Sequence, residues 1–212
     1  MKIVAMVPIK LKNERLPGKN TMILGGKPLI AHMLETLSKI KKIDKTYVFC
    51  SDLKINEYID TDAVFLERSK TLDLQTATFN DIFDSFRSKI RADIYVVAHA
   101  TSPFVKESTI DACINAVLNC GHDSAFTAIA MREFFWRNGQ PMNFDPKNIP
   151  RTQDLEPLYC ETSGAYVFKS EVYENSRRRI GENPFIAEVS VREAVDIDYK
   201  EDFEFAKYML DR

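Results

Sequence analysis

Apolar positions along this chain come in two patterns, short continuous runs and sets at helical spacing, and their alternation predicts a doubly wound α/β sheet. Ile3, Val4, Ala5, Met6 and Val7 form the first run, rich in β-branched residues and stopped by Pro8, as in a parallel strand buried on both faces. Leu29, Ile30, Met33, Leu34, Leu37 and Ile40 then follow helical spacing behind Pro28, a residue tolerated in a first turn. Strands are predicted at Thr46 to Ser51 and Ala63 to Leu66, and a helix at Phe79, Ile82, Phe83, Phe86 and Ile90. Asp93 to His99 reads as another buried strand, Ile110, Cys113, Ile114 and Val117 as a helix, and Ser124 to Ala130 as a strand.

The regularity fails from Met131 to about Glu161, where Phe134, Phe135, Trp136 and Phe144 are interleaved with turn signals at Asn138-Gly139 and Asp145-Pro146. This segment reads as an excursion outside the main sheet. Ser163 to Phe168 returns as a strand, Val195 to Asp198 alternates apolar and acidic residues as a short strand, and Phe203, Ala206 and Leu210 mark a closing helix.

With 212 residues, 45% of them apolar, the chain buries a substantial core and is read as one domain over 1–212, with 131–161 inserted. The formal net charge of −2 argues against nucleic acid as partner. No apolar stretch approaches the ~20 residues of a membrane helix or the pattern of a signal peptide, so no membrane partner and a cytoplasmic location are expected. Cys50, Cys113, Cys120 and Cys160 form no C-x-x-C pair and read as reduced, buried thiols; His122 after Cys120 has no second ligand pair at zinc spacing.

Against the mild net charge, the segment KIVAMVPIKLKNERLPGKN stands out. A buried strand runs into a loop carrying Lys10, Lys12, Arg15, Lys19 and Asn20, turned by Pro17 and Gly18. Loops leaving the C-terminal ends of parallel strands are where open α/β sheets bind ligands. The loop has neither the Walker nor the dinucleotide glycine pattern, so it suits either polyphosphate held by cationic side chains or simple solvation. Asp196 and Asp198 flank one isoleucine, and on a strand both carboxylates share a face. Such a pair suits Mg²⁺, or belongs to a surface pattern with Asp198 capping the next helix. Glu201 and Asp202 suit the helix N-terminus. His99 at a strand end is either a general base or, preferably, an orienting or packed residue; His32 reads as structural, and Arg177, Arg178 and Arg179 as a solvated face, though one of them suits an acidic ligand.

Taken together, V-P-x-K-x-x-N-E-R-L-P-G-K-N, Ser51-Asp52, A-T-S-P at Ala100 to Pro103 and D-I-D at Asp196 to Asp198 resemble the acylneuraminate cytidylyltransferase family. The resemblance runs in order along nearly the whole chain. Arg151 to Leu155 and Tyr159 to Gly164 are similar to the acceptor-side segment of its bacterial members. It implies a three-layer α/β/α Rossmann-like nucleotidyltransferase fold with a mostly parallel mixed sheet, and CTP-dependent activation of an acidic, sialic acid-like sugar to its CMP derivative.

By that resemblance Lys10, Arg15 and Lys19 meet the phosphates of CTP and act in catalysis together with Asp196. Pro8, Asn20, Ser51, Arg68, Thr76, Ala77 and Thr78 complete the CTP site, and Asp196 and Asp198 hold Mg²⁺. His99, Thr101, Ser102, Arg151, Gln153, Glu161, Ser163 and Gly164 fall on the acceptor side, and the 131–161 excursion forms a homodimer contact. Two departures stand out: Lys10 replaces an arginine and Glu14 a basic residue, and the two side chains are not equivalent in phosphate binding. Lys12 is then a candidate for the missing charge. Alternative readings are a Kdo-like or non-nonulosonate acceptor in surface polysaccharide synthesis, or a nucleotide-binding module without catalysis.

Overall fold

The computed structural model describes residues 1–210. In chain order the elements are β1 (Ile3–Ile9), β2 (Ile23–Leu24), β3 (Lys27–Pro28), α1 (Leu29–Ser38), β4 (Lys45–Cys50), β5 (Val64–Glu67), α2 (Phe79–Lys89), β6 (Ile94–Ala98), α3 (Glu107–Asn119) and β7 (Ser124–Met131). They continue with β8 (Trp136–Arg137), β9 (Gln140–Pro141), β10 (Leu158–Lys169), α4 (Ser170–Ser176), β11 (Pro184–Glu188) and α5 (Lys200–Leu210). Seven strands form one sheet in the order β11-β7-β10-β6-β1-β4-β5. β10 runs antiparallel to β6 and β7, while the other pairings are parallel.

The period-2 geometry of β1 divides the core. Ile3, Ala5 and Val7 face one layer with Ile30, Met33, Leu34 and Leu37 of α1 and Ile110, Cys113, Ile114 and Val117 of α3. Val4 and Met6 face the other, with Phe83 and Phe86 of α2 and Tyr173 of α4. Phe83 is the hub there, its ring centroid 4.9 Å from Tyr95, 5.1 Å from Phe168 and 4.5 Å from Tyr173. The result is the expected α/β/α sandwich.

Strand order reverses beside β1, since the chain steps outward through β4 and β5 and then returns to place β6 on the other side. The crevice over the C-terminal ends of β1 and β6 is therefore the topological switch point, where such sheets bind ligands.

Several elements differ from the sequence expectation. Pro8 does not stop β1: pairing with β6 ends at Met6–Val97, whereas pairing with β4 continues to Ile9–Cys50, so Pro8 lies where one side is unpaired. Val195 to Asp198 is extended but not a strand, because a single backbone bond, Ile197 N–H to the Thr101 carbonyl at 2.8 Å, ties it across the end of β6. The sheet also claims Met131 and Leu158–Glu161, which extend β7 and β10, so the chain leaves it only between 132 and 157. There Asn138 (φ 50°) and Gly139 (φ 76°) make the hairpin turn between β8 and β9. α4 and β11 were not predicted, being too short to show a period. Of the cysteines, Cys50 and Cys113 are buried; Cys120 and Cys160 are exposed, correcting their expected burial.

Candidate active site

The loop after β1 is held by its own backbone. Gly18 adopts a left-handed conformation (φ 69°), which glycine alone reaches without strain, and the chain then turns through a 3₁₀ turn at Lys19–Thr21. That reversal sends Lys19 inward until it is only 9% exposed. Burial of an ammonium requires partners, and Lys19 Nζ donates to the Ile197 carbonyl at 2.8 Å and to Asp198 Oδ1 at 2.6 Å. Arg15 donates to the other oxygen, Asp198 Oδ2. Beneath them Leu16 and Ile197 share a small apolar cluster with Leu24, Leu29 and Phe203, so the basic loop, the D-I-D segment and α5 form one unit. Asn20 is buried too, its Nδ2 donating to the Lys10 carbonyl at 2.9 Å.

Asp198 illustrates the balance of forces. Burial raises its pKa, but hydrogen bonding to Lys19 and the charges of Lys19 and Arg15 outweigh that and hold it below the ordinary carboxylate value. The alternative reading of Asp198 as cap of α5 does not hold, since its carboxylate is taken by Arg15 and Lys19 and it is Asp202 Oδ2 that accepts from the N–H groups of Asp198 and Tyr199.

A cleft of ≈ 600 Å³ opens here, lined by Lys10, Glu14, Arg15, Lys19, Gln75 and Asp198 among others. Glu14 reaches Lys10 (3.5 Å) and accepts a hydrogen bond from Gln75, so the residue that departs from the resembling pattern clasps the β1 loop to the loop before α2. Lys12, the candidate for extra charge, is exposed and does not line this cleft.

Outside the lining of this cleft, Arg68 is 4% exposed and donates to Asp73 Oδ1 at 2.6 Å, while Ser51 donates to Asp73 Oδ2. Asp73, which the sequence reading did not single out, thus positions two predicted CTP contacts; only its place in the 3₁₀ turn Lys70–Asp73 puts it there. Arg68 Nε is buried without a partner among the described residues. Thr76 is exposed, Ala77 donates its N–H to the Leu74 carbonyl, and Thr78 caps α2 in a reciprocal capping box with Asp81.

The acceptor-side residues fall into two groups. His99 Nδ1 lies 2.7 Å from the Ser163 carbonyl, an acceptor, which makes Nδ1 the N–H nitrogen and leaves a lone pair on Nε2. Burial lowers the His99 pKa, with Arg179 and Lys19 adding to the effect, so the ring is neutral near pH 7. The Ser163 carbonyl is aimed by an irregularity in β10, where register shifts between Glu161 and Tyr166. Gly164 is demanded by packing: a Cβ there would lie 2.8 Å from Val105 Cγ2 and 2.9 Å from Thr127 Oγ1. Ser102 is buried, its N–H donating to the His99 carbonyl, and Thr101 holds Ile197. Arg151, by contrast, forks onto Asp154 of its own turn and Gln153 is exposed; among the described residues no hydrogen bond or ion pair joins either to the cleft.

Asp196 is near enough for its charge to act on His99, and Asp196 Oδ1 is buried without a hydrogen-bond partner among the described residues. A buried orphan carboxylate oxygen is costly unless a cation meets it. No cluster of three or more His, Cys, Asp or Glu is found among the described residues. Two carboxylates are what Mg²⁺ ordinarily takes from a protein, substrate phosphates and water completing its shell. Asp196 and Asp198 therefore fit that ion.

Of the run Arg177–Arg179, read from sequence as a solvated face with one arginine suited to an acidic ligand, the structure separates Arg179 from the other two. Arg177 pairs with Asp84 and Arg178 with Glu182. Arg179 instead lies with its guanidinium carbon 3.6 Å from the Tyr166 ring centroid and donates to Glu161 Oε1 at 3.0 Å.

A basic cleft at the switch point of a doubly wound sheet, with Asp198 in its wall, is the arrangement of an α/β protein suited to polyphosphate. Comparison with known proteins makes this specific. The family described as Cytidylyltransferase matches residues 4–210, and the chain belongs to that family. It is 25% identical over 210 residues to N-acylneuraminate cytidylyltransferase of Oncorhynchus mykiss, covering 93% of this chain and 48% of the relative. It is 25% identical over 226 residues to CMP-N,N'-diacetyllegionaminic acid synthase of Legionella pneumophila, covering 100% and 97%. The chain thus spans about half of the fish relative and nearly all of the bacterial one. In fold it is similar to a solved CMP-2-keto-3-deoxy-manno-octonic acid synthetase complexed with CTP, with TM-score 0.73, 18% identity and coverage of 100% and 99%.

Proposed function

We propose that the protein is a CTP-dependent cytidylyltransferase that converts an acidic, sialic acid-like sugar to its CMP-sugar and releases pyrophosphate. One observation carries this reading: Arg15 and Lys19 converge on Asp198 at the switch-point cleft, while Asp196, whose charge acts on His99, presents an unpartnered buried oxygen.

In the reaction the anomeric oxygen of the acceptor bonds to the α-phosphorus of CTP and the bond to the β-phosphoryl oxygen breaks, pyrophosphate leaving. Lys10, Arg15 and Lys19 neutralise phosphate charge, and a preset array of this kind lowers the barrier without reorganisation during the step. Asp198 keeps Arg15 and Lys19 in place before the nucleotide arrives. The lone pair on His99 Nε2 accepts the attacking hydroxyl as a hydrogen bond, orienting it. Asp196 and Asp198 would hold Mg²⁺, which would supply positive charge to the phosphates and acidify a hydroxyl.

The assembly proposed is a homodimer. Trp136, Met142 and Ile149, each more than half exposed, crowd the segment outside the sheet, and aromatic and methionine side chains are enriched at interfaces. The reading further treats 1–212 as one domain and places it in the cytoplasm, supported by its four free cysteines. No described helix is long and apolar enough to cross a membrane.

A nucleotide panel tests the reading. With an acidic sugar and Mg²⁺ present, CTP releases pyrophosphate and ATP, GTP and UTP do not; release from another nucleotide in preference to CTP contradicts it.

A further inference from the structure

A second cavity of ≈ 450 Å³, lined by Phe79, Asn80, Glu161 and Arg177–Arg179 among others, lies outside the phosphate cleft. Its volume is in the range of small-molecule sites. Tyr166, against which Arg179 packs, links this cavity to His99, the Tyr166 and His99 ring centroids lying 6.2 Å apart.

Arg179 is a built feature of this cavity. Its guanidinium carbon lies 3.6 Å from the Tyr166 ring centroid and 5.0 Å from that of Phe79, which fixes its plane. Glu161 steadies it through one N–H, Nη2 to Oε1 at 3.0 Å, and the same oxygen already takes the Tyr166 hydroxyl at 2.5 Å. A guanidinium has five donors in a rigid fork, so with Glu161 and the Tyr166 hydroxyl as partners Arg179 keeps donors over for a carboxylate. Its side chain is 28% exposed, enough for a ligand to reach and little enough for the charge to escape full solvent screening.

We propose that Arg179 reads the carboxylate of the acceptor sugar, held by Tyr166 and Phe79 and by the counter-charge of Glu161, so that the sugar lies between this cavity and His99. The proposal rests on the function proposed above. It makes Arg179 a specificity-determining residue, since a neutral sugar would leave a half-buried cation and its oriented donors without the anion they are set for.

The test uses the purified full chain with CTP, Mg²⁺, and N-acetylneuraminate or 3-deoxy-manno-octulosonate, each also as its methyl ester. The wild-type protein is expected to prefer acid over ester by roughly 10- to 100-fold in kcat/KM, the range of a charge-assisted hydrogen bond. In Arg179→Gln and Arg179→Lys the acceptor KM rises about 10-fold or more, the acid-to-ester preference shrinks to within about 3-fold for Gln, and the KM for CTP is unchanged. Two variants of different size guard against a folding defect, and unchanged CTP binding by calorimetry shows an intact fold. A wild-type preference that survives Arg179→Gln, or a wild-type enzyme indifferent to esterification, overturns the role of Arg179 alone. Absence of turnover with either acid in the wild-type protein, with CTP bound, overturns the proposed function and this inference with it.

Discussion

Asp196 and Lys19 are opposite solutions to burying a charge. Lys19 meets two acceptors in the folded chain, whereas Asp196 Oδ1 meets none among the described residues. An unpartnered buried oxygen costs stability that function retains. Asp196→Ala is therefore expected to lower Mg²⁺-dependent pyrophosphate release by roughly 100-fold or more, the scale of several kcal/mol of lost charge stabilisation, while its melting temperature without Mg²⁺ equals or exceeds that of the wild type. Full activity in this variant removes the metal assignment. Histidine sets a second expectation. Burial lowers the pKa of both His32 and His99 from 6.5, so each stabilises the fold fully above pH 6.5, and that contribution is lost as pH falls through the folded-state values. The melting temperature should drop between pH 7 and pH 5, before carboxylates such as Asp198 titrate, and more steeply in the wild type than in His99→Gln. The residue-level chemistry was partly legible in the sequence: K-x-x-N-E-R-L-P-G-K-N and D-I-D name the two halves of the cleft. Asp73 was not legible, nor which of Arg177–Arg179 stands apart, because these places come from contacts with Arg68 and Ser51 in one case and Tyr166 and Glu161 in the other, which no local pattern encodes.

At the scale of elements, long periods were readable and short ones were not. The i, i+3, i+4 sets of α1, α2 and α3 and the continuous runs of β1, β4 and β6 each span several turns or residues and point to a face. α4 and β11, at seven and five residues, carry too few apolar positions to do so. The D-I-D segment looked like a strand because Ile197 faces inward between two polar neighbours; what makes it extended is the Thr101 carbonyl and the apolar cluster around Ile197. The loop before it performs a further task. Glu193, 5% exposed, accepts from the Lys106 N–H at 3.2 Å, Lys106 Nζ at 2.9 Å and Thr109 Oγ1 at 2.6 Å, and so caps α3 across more than eighty residues of chain. Hydrogen bonds from these donors outweigh the cost of burial and lower its pKa. Glu193→Ala removes three hydrogen bonds to a buried carboxylate and should cost about 1–3 kcal/mol by denaturant titration. A change below about 0.5 kcal/mol would show that the cap is dispensable.

For the molecule as a whole, the fold serves the site by bringing together segments far apart in sequence: residues 10–20 after β1, 68–78 before α2, 99–102 after β6 and 195–198 before α5. All collect where strand order reverses, as expected of an open α/β sheet. The segment between β7 and β10 stands apart from this gathering and carries exposed apolar surface, so light scattering at micromolar concentration is expected to return twice the chain mass of 24.4 kDa. Trp136→Glu should shift that mass toward a single chain, and an undisturbed monomer in the wild type contradicts the dimer. The central claim is transfer of CMP from CTP to an acidic sugar, and mass spectrometry tests it most directly. Incubation of the protein with CTP, Mg²⁺ and a set of acidic eight- and nine-carbon keto sugars is predicted to yield a product of the sugar plus CMP less water, together with stoichiometric pyrophosphate. Hydrolysis of CTP with no such adduct from any of these sugars, or CTP binding without turnover, would contradict it.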